Sequence, residues 1–209
     1  MRPLNIVIGF IILVLLDGCT PVQMPITNQY QLAAYSQTSS TKTLHRSILI
    51  SQPEAIAGYQ TEQMLYIKKR YQLTAFAQNA WISPPAYMLY PLLIQSFQQS
   101  GAFSAVASSP YADVVDYRLD TQILAIEQNF LVKPSVFNLS LKVVVTQIKN
   151  NRVLASRIFN EHIRCKADTP YGGVLAANQA TLKMTQRIKD FAIKYIEDDI
   201  ASQNAISEK

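Results

Sequence analysis

Phe137-Asn138-Leu139-Ser140-Leu141-Lys142-Val143-Val144-Val145-Thr146 is a strand spelled out in alternation. Phe137, Leu139, Leu141, Val143 and Val145 fall on one face, and Asn138, Ser140, Lys142 and Thr146 on the other. A period of two is the β period, and a strand that is apolar on one side only has one buried face. Downstream, Asn150-Asn151 forms a tight turn, because asparagine tolerates left-handed backbone. Val153 to Ile163 then returns as the partner strand. Upstream, Tyr117 to Leu131 also alternates, but its apolar phase shifts between Leu119/Ile123 and Leu124/Ile126. One extra residue in a strand shifts phase in this way, so a bulge or sharp bend is predicted there.

Two segments change to helical spacing. Ser83-Pro84-Pro85 reads as a helix start, with serine as N-cap and proline in the first turn. The helix predicted over 84–99 carries Met88, Leu89, Leu92, Leu93 and Phe97 as an apolar stripe, and Ser100-Gly101 as its stop. Pro91 sits inside it, removing one hydrogen bond and bending the axis. A second helix is predicted from Val174 to Asp198, after the breakers Thr169-Pro170 and Gly172-Gly173. Its stripe is Ala177, Met184, Ile188, Phe191 and Tyr195. In the first half, Tyr30–Leu32, Ile48–Ile50, Met64–Ile67 and Tyr71–Phe76 read as strands. The last two form a hairpin with the charged tip Lys68-Lys69-Arg70, and Phe103 to Val106 adds a short strand after the first helix. The order is ββββαββββα. That is an α+β fold, a mostly antiparallel sheet with two main helices packed on one face. The domain spans 30–198, and 199–209 reads as a polar C-terminal tail.

Composition narrows the function. Nineteen Lys and Arg stand against fourteen Asp and Glu, a net charge of +5, and charged residues are only 16% of the chain. Nucleic-acid binding needs a denser basic stripe, so no nucleic-acid partner is assigned. The excess reads as a solvated surface, or as a weak basic face toward anionic headgroups. Catalysis needs a constellation, and none is assembled, so no catalytic residue is assigned. The histidines are His45 and His162, and with two cysteines they supply no metal-ligand spacing. A Cys165–His162 dyad would put its members on opposite faces of one strand. Asp113 and Asp116 read as loop caps, and Asp198 and Asp199 as the solvated end of the last helix.

The N-terminus reads as an export signal. Met1 and Arg2 precede an apolar run from Ile6 to Leu16, about half of what a bilayer core requires. It closes in Leu16-Asp17-Gly18-Cys19, which resembles the bacterial lipobox. The resemblance implies a signal peptide over 1–18 and a lipid attachment at Cys19, with diacylglycerol on the thiol and an N-acyl chain. Asp17 departs from the small or apolar residue usual at its position. Two or more acyl chains anchor stably. Thr20 stands where an aspartate would signal retention at the inner membrane, so the resemblance also implies the outer membrane. Residues 19–29, with Pro21 and Pro25, form the lipidated tether. Cys165, left without a partner, reads as a buried inert thiol at a strand end.

Trp81, Tyr87 and Tyr90 cluster around the first predicted helix, either as a partner contact or as packing beneath it. Three quoted stretches surround them. Trp81-Ile82-Ser83-Pro84-Pro85-Ala86-Tyr87-Met88-Leu89 leads into Leu92-Leu93-Ile94-Gln95-Ser96-Phe97 and then Ser100-Gly101-Ala102-Phe103-Ser104-Ala105-Val106. Together with Tyr30-x-Leu32, Leu49-Ile50 before Pro53, and Tyr117-Arg118-Leu119, these resemble the ABC-type transport auxiliary lipoprotein family, the PqiC-like periplasmic lipoproteins. Arg70 stands for the arginine which that family carries near the hairpin. The resemblance, over roughly 30–196, implies a docking component on the periplasmic face of the outer membrane, without catalysis of its own. The implied partners are a mammalian-cell-entry (MCE) domain protein, ABC-type or permease transport components, outer-membrane lipid and further copies in a homo-oligomer. The rival readings are a periplasmic lipid-binding carrier, an outer-membrane assembly lipoprotein and an envelope hydrolase.

Overall fold

The computed structural model describes residues 27–108 and 115–207; Cys19, Asp17 and Asp113 lie outside the described residues. In chain order the strands are β1 Asn28–Tyr30, β2 Ser47–Ile50, β3 Glu54–Ala55, β4 Gln63–Lys69 and β5 Gln72–Trp81. Helix α1, Pro85–Ser100, follows; then come β6 Ala105–Ser108, β7 Tyr117–Asn129, β8 Val136–Gln147, β9 Arg152–Arg164 and helix α2, Pro170–Ser207. The class is α+β. Four of the predicted elements, β7, β8, β9 and α1, differ from the sequence reading by only one or two residues at their ends. Glu54–Ala55 is additional, a two-residue strand too short to show a period.

Strand β7 is the spine of the nine-stranded sheet. Along one edge it pairs antiparallel with β8 from Tyr117↔Gln147 to Asn129↔Val136, and β9 continues beyond β8. Along its other edge β2, β3 and β4 follow one another, all parallel to it, at Ile48↔Tyr117, Glu54↔Gln122 and Tyr66↔Gln128. Strand β6 then flanks β2, parallel, while β5 flanks β4 as a hairpin and β1 lies parallel to β5. The sheet is therefore mixed. Its long pairings are antiparallel, and its short ones parallel. Periodicity reports which face of a strand is buried and carries no sign of strand direction, so the parallel pairs were not legible. The predicted bulge is present: the β7–β8 register slips between Ile123 and Ala125. It brings Ile126 onto the helix-facing side after Leu119 and Ile123, while Glu127 turns to the opposite side.

Both helices lie on one face of the sheet and touch each other. The alternating face of β8 is the floor of the core: Phe137, Leu139, Leu141, Val143 and Val145 are all buried. Ala177, Met184, Ile188 and Phe191 of α2 cover it, while Met88, Leu89, Leu92, Leu93 and Phe97 of α1 are buried beside them, over β2, β3, β6 and β7. Burying a large aliphatic or aromatic side chain contributes about 1.5–3 kcal/mol. Two details of the helix ends depart from expectation. Ser83 makes no cap; the N-cap position is Pro84, without a side-chain hydrogen bond, and Pro85 sets the first turn by its fixed φ. Helix α2 starts at Pro170, and Gly172 and Gly173 lie inside it. A Cβ on Gly172 would stand 2.1 Å from the Ala167 carbonyl oxygen, and one on Gly173 2.4 Å from Gln128 Oε1. These glycines admit close neighbours and break nothing. Pro91 is accommodated because it and Tyr87, whose carbonyl it deprives of a donor, both lie on the exposed side of α1.

Candidate anchoring and partner-binding site

Strand β5 ends at Trp81, which is 2% exposed and belongs to the core beneath α1. Tyr87, one turn into α1, is 63% exposed, and Tyr90 is half-buried against the core. The structure thus does not gather the three aromatics into one surface. Tyr87 alone stands in solvent, beside an open cleft of about 580 Å³ lined by Gln52, Pro53, Glu54, Ala55, Gln60 and Pro84. The side of α1 that bears Tyr87 is the side it does not give to the sheet, since Ala86, Met88 and Leu89 are buried.

The chain that follows β1 is laced onto α2 by polar side chains that the sequence reading did not single out. Asn178 Oδ1 accepts from the backbone N–H groups of Ala33 at 2.8 Å and Ala34 at 3.1 Å. Its Nδ2 donates to the Gln31 carbonyl at 3.1 Å. Thr185 Oγ1 accepts from the Ser36 N–H at 2.9 Å. Lys189, 1% exposed, donates to the Thr38 carbonyl and, at 3.4 Å, to Ser36 Oγ. Burial lowers the pKa of that ammonium, against the pull of Asp190. The segment needs this help because it lacks strand partners of its own, and buried backbone groups require partners. The available signal was polar residues at 178, 185 and 189, at helical steps along an otherwise apolar stripe.

Groups that might have suggested chemistry are used for structure. Cys165 is buried and free; burial pushes its thiol pKa up, with Ser135 opposing. A thiol held protonated is a poor nucleophile. His162 lies elsewhere, its Nδ1 2.8 Å from Asn138 Oδ1. Asp116 caps Ser47, accepting from its N–H at 2.7 Å and its hydroxyl at 2.8 Å. Asp199 departs from the solvated helix end that was expected: α2 continues to Ser207, and Asp199 is 5% exposed. Its carboxylate accepts from Tyr117 Oη at 3.0 Å, Gln147 Nε2 at 2.9 Å and Gln203 Nε2 at 2.6 Å, and pairs with Arg152. Burial and this carboxylate push the Tyr117 phenol up to about 12. On the other face of the sheet, Glu127 accepts from Tyr59 Oη at 2.7 Å and Asn138 Nδ2 at 3.1 Å. Burial, then that carboxylate, raise the Tyr59 phenol pKa.

Among the described residues no three His, Cys, Asp or Glu side chains are grouped to hold a metal ion. No helix there is long and apolar enough to cross a membrane. Besides the cleft at Tyr87, an open groove of about 550 Å³ runs between Ala33–Thr38 and Leu182 and Gln186 of α2. What this arrangement offers is binding surface: exposed Tyr171, Leu175 and Leu182 on α2, and Val153 and Ile158 on β9.

Comparison with known proteins locates this fold. A family model for the ABC-type transport auxiliary lipoprotein component matches residues 30–189. No curated protein matches the chain. Protein XCC0632 from Xanthomonas campestris superposes with a TM-score of 0.76 at 18% identity, covering 83% of this chain and 99% of that one. A crystal structure of an uncharacterized protein follows, with a TM-score of 0.64 at 16% identity, covering 79% and 97%. The hypothetical protein CT253 from Chlamydia trachomatis gives 0.55 at 8%, covering 73% and 98%. At such identities the likeness shows the fold alone.

Proposed function

The chain belongs to the family of ABC-type transport auxiliary lipoprotein components, and from that premise we propose that it is an accessory docking protein of an intermembrane lipid transport system. Acylation at Cys19 holds it on the periplasmic face of the outer membrane. It grips an MCE-domain protein and the ABC-type or permease components, and associates with further copies of itself through free sheet edges such as β9. It performs no catalysis of its own. The observation that carries the reading is the family match, which spans most of the described domain. The site geometry supports it, because Asp116, Lys189, Glu127 and Asp199 are engaged in a cap, a strap and buried hydrogen bonds.

The carrier reading draws less support. The clefts at Tyr87 and at Ala33–Thr38 are open at the surface, whereas a carrier encloses most of its ligand's surface. The test is co-purification from crosslinked membranes. Recovery of MCE or transporter components with the tagged lipoprotein is the expected result. Their absence, with the lipoprotein itself recovered, would overturn the proposal.

A further inference from the structure

One end of the sheet gathers features that the docking role does not use. Strands β4 and β7 run parallel, so the β4–β5 turn and the β7–β8 loop project from the same end, joined by the Phe130 N–H donating to the Ile67 carbonyl at 2.8 Å. Tyr71, at φ 64°, stands fully in solvent at 102% exposure. Leu131 and Val132 are also exposed beside it. Lys69 and Arg70 precede Tyr71 and Lys133 follows Val132, and all three are exposed too. The turn rests on a firm base: Tyr66 and Phe76 rings lie 4.5 Å apart, Phe130 meets both edge-on, and Lys68 lies over Tyr66 and Phe130. Asp168, beside Lys133, spends its carboxylate on the Ser135 N–H at 2.6 Å.

The N-terminal end of β1 faces this same end. Strand β1 is parallel to β5, with Asn28 opposite Asn79 and Tyr30 opposite Trp81. Strand β1 therefore points away from Gln72, the hairpin tip, with Asn28 at its tip-facing end. Asn79 stands at most about 25 Å from that tip, and the stretch from Cys19 to Asn28 reaches at most about 30 Å. An acyl group at Cys19 can thus lie level with the tip.

The geometry points to the β4–β5 turn and the β7–β8 loop as a second, non-covalent membrane contact, with Tyr71, Leu131 and Val132 entering the interface of an anionic leaflet. It rests on the Cys19 anchor proposed above. Aromatic and aliphatic tips flanked by Lys and Arg fit a headgroup boundary, and each cation strengthens partition to anionic lipid about 5-fold. An anchor alone leaves the domain free to swivel. A second contact fixes which surfaces face the periplasm.

Tyr71→Trp and Val132→Trp place reporters at the tip; the native Trp81 is buried and gives a constant background. Val153→Trp is the control, exposed on β9 opposite Thr146, which pairs with Arg118 at the other end of the sheet. The full lipoprotein is reconstituted in vesicles of phosphatidylethanolamine and phosphatidylglycerol carrying brominated acyl chains, and intact mass reads acylation. Expected are an acylated chain and several-fold stronger quenching at 71 and 132 than at 153, weakened when phosphatidylcholine replaces phosphatidylglycerol. Equal quenching on an acylated chain overturns the tip contact, leaves the anchor standing and points the tip at a protein. An unacylated chain still quenched at the tip removes the anchor and keeps the contact. An unacylated chain with no quenching at the tip removes both.

Discussion

Gly172 shows how a single atom decides a sign. In a helix interior, glycine to alanine normally stabilises by about 1 kcal/mol. Here the added Cβ meets the Ala167 backbone at 2.1 Å, which cannot yield without moving the chain. Gly172→Ala should therefore destabilise by about 1–3 kcal/mol in urea unfolding; a stabilised variant would contradict this placement of the helix start. Asp199 supplies the electrostatic counterpart. Its exposed partner Arg152 is screened, so most of its contribution lies with the Tyr117, Gln147 and Gln203 bonds. Asp199→Ala should cost about 2–3 kcal/mol. The phenol gives the pH dependence its direction. Tyr117 is raised to about 12 in the folded state against about 10 when unfolded. Its stabilising share is thus complete below about pH 10 and fades as pH climbs through about 12. Tyr59 acts in the same direction. The double variant Tyr59→Phe, Tyr117→Phe should flatten the alkaline fall in melting temperature, and an unchanged slope would refute the assignment. None of this was legible in the sequence. Asp199 read as solvated because three of its partners, Tyr117, Gln147 and Arg152, come from β7, β8 and β9, far away in the chain.

At the scale of elements, periodicity carried most of the fold. The alternation of β8, the phase slip in β7 and the stripe of α1 each appear as read, because each is a local record of one buried face. Deleting Leu124, the extra residue at the register slip, should restore unbroken alternation with Ile126 and Glu127 on their present faces, so a cooperative thermal transition should survive. Loss of that transition would show that the bend itself, and not only the phase, is required. The strapped segment after β1 was illegible for the opposite reason. Ala33 to Thr38 has no period, and its order is supplied by Asn178, Thr185 and Lys189 from a helix distant in sequence. Asn178→Ala removes the acceptor for two backbone N–H groups and should cost about 1–2 kcal/mol. Amide exchange at Ala33 and Ala34 should quicken while β8 stays protected; uniform acceleration would instead mean global loosening.

For the whole molecule, the family was legible from packing residues between Trp81 and Val106, many of them buried in the core at α1. The candidate contact set was legible only in part. Trp81 is buried, and of the three only Tyr87 is exposed, since aromatic content cannot tell a core ring from an interface ring. The anchor is a separate claim. Cys19→Ser should shift the protein from the membrane to the soluble fraction, and unchanged sedimentation with membranes would remove acylation from the account. The most direct measurement of the docking role is photocrosslinking in living cells, with a reactive residue placed in turn at Tyr87, Ile158, Leu175 and Leu182 and the products identified by mass spectrometry. MCE-domain or transporter subunits should be captured from positions on one side of the domain and not from the others. Capture of none of these components from any position, with the protein at its native level in the membrane, would contradict it.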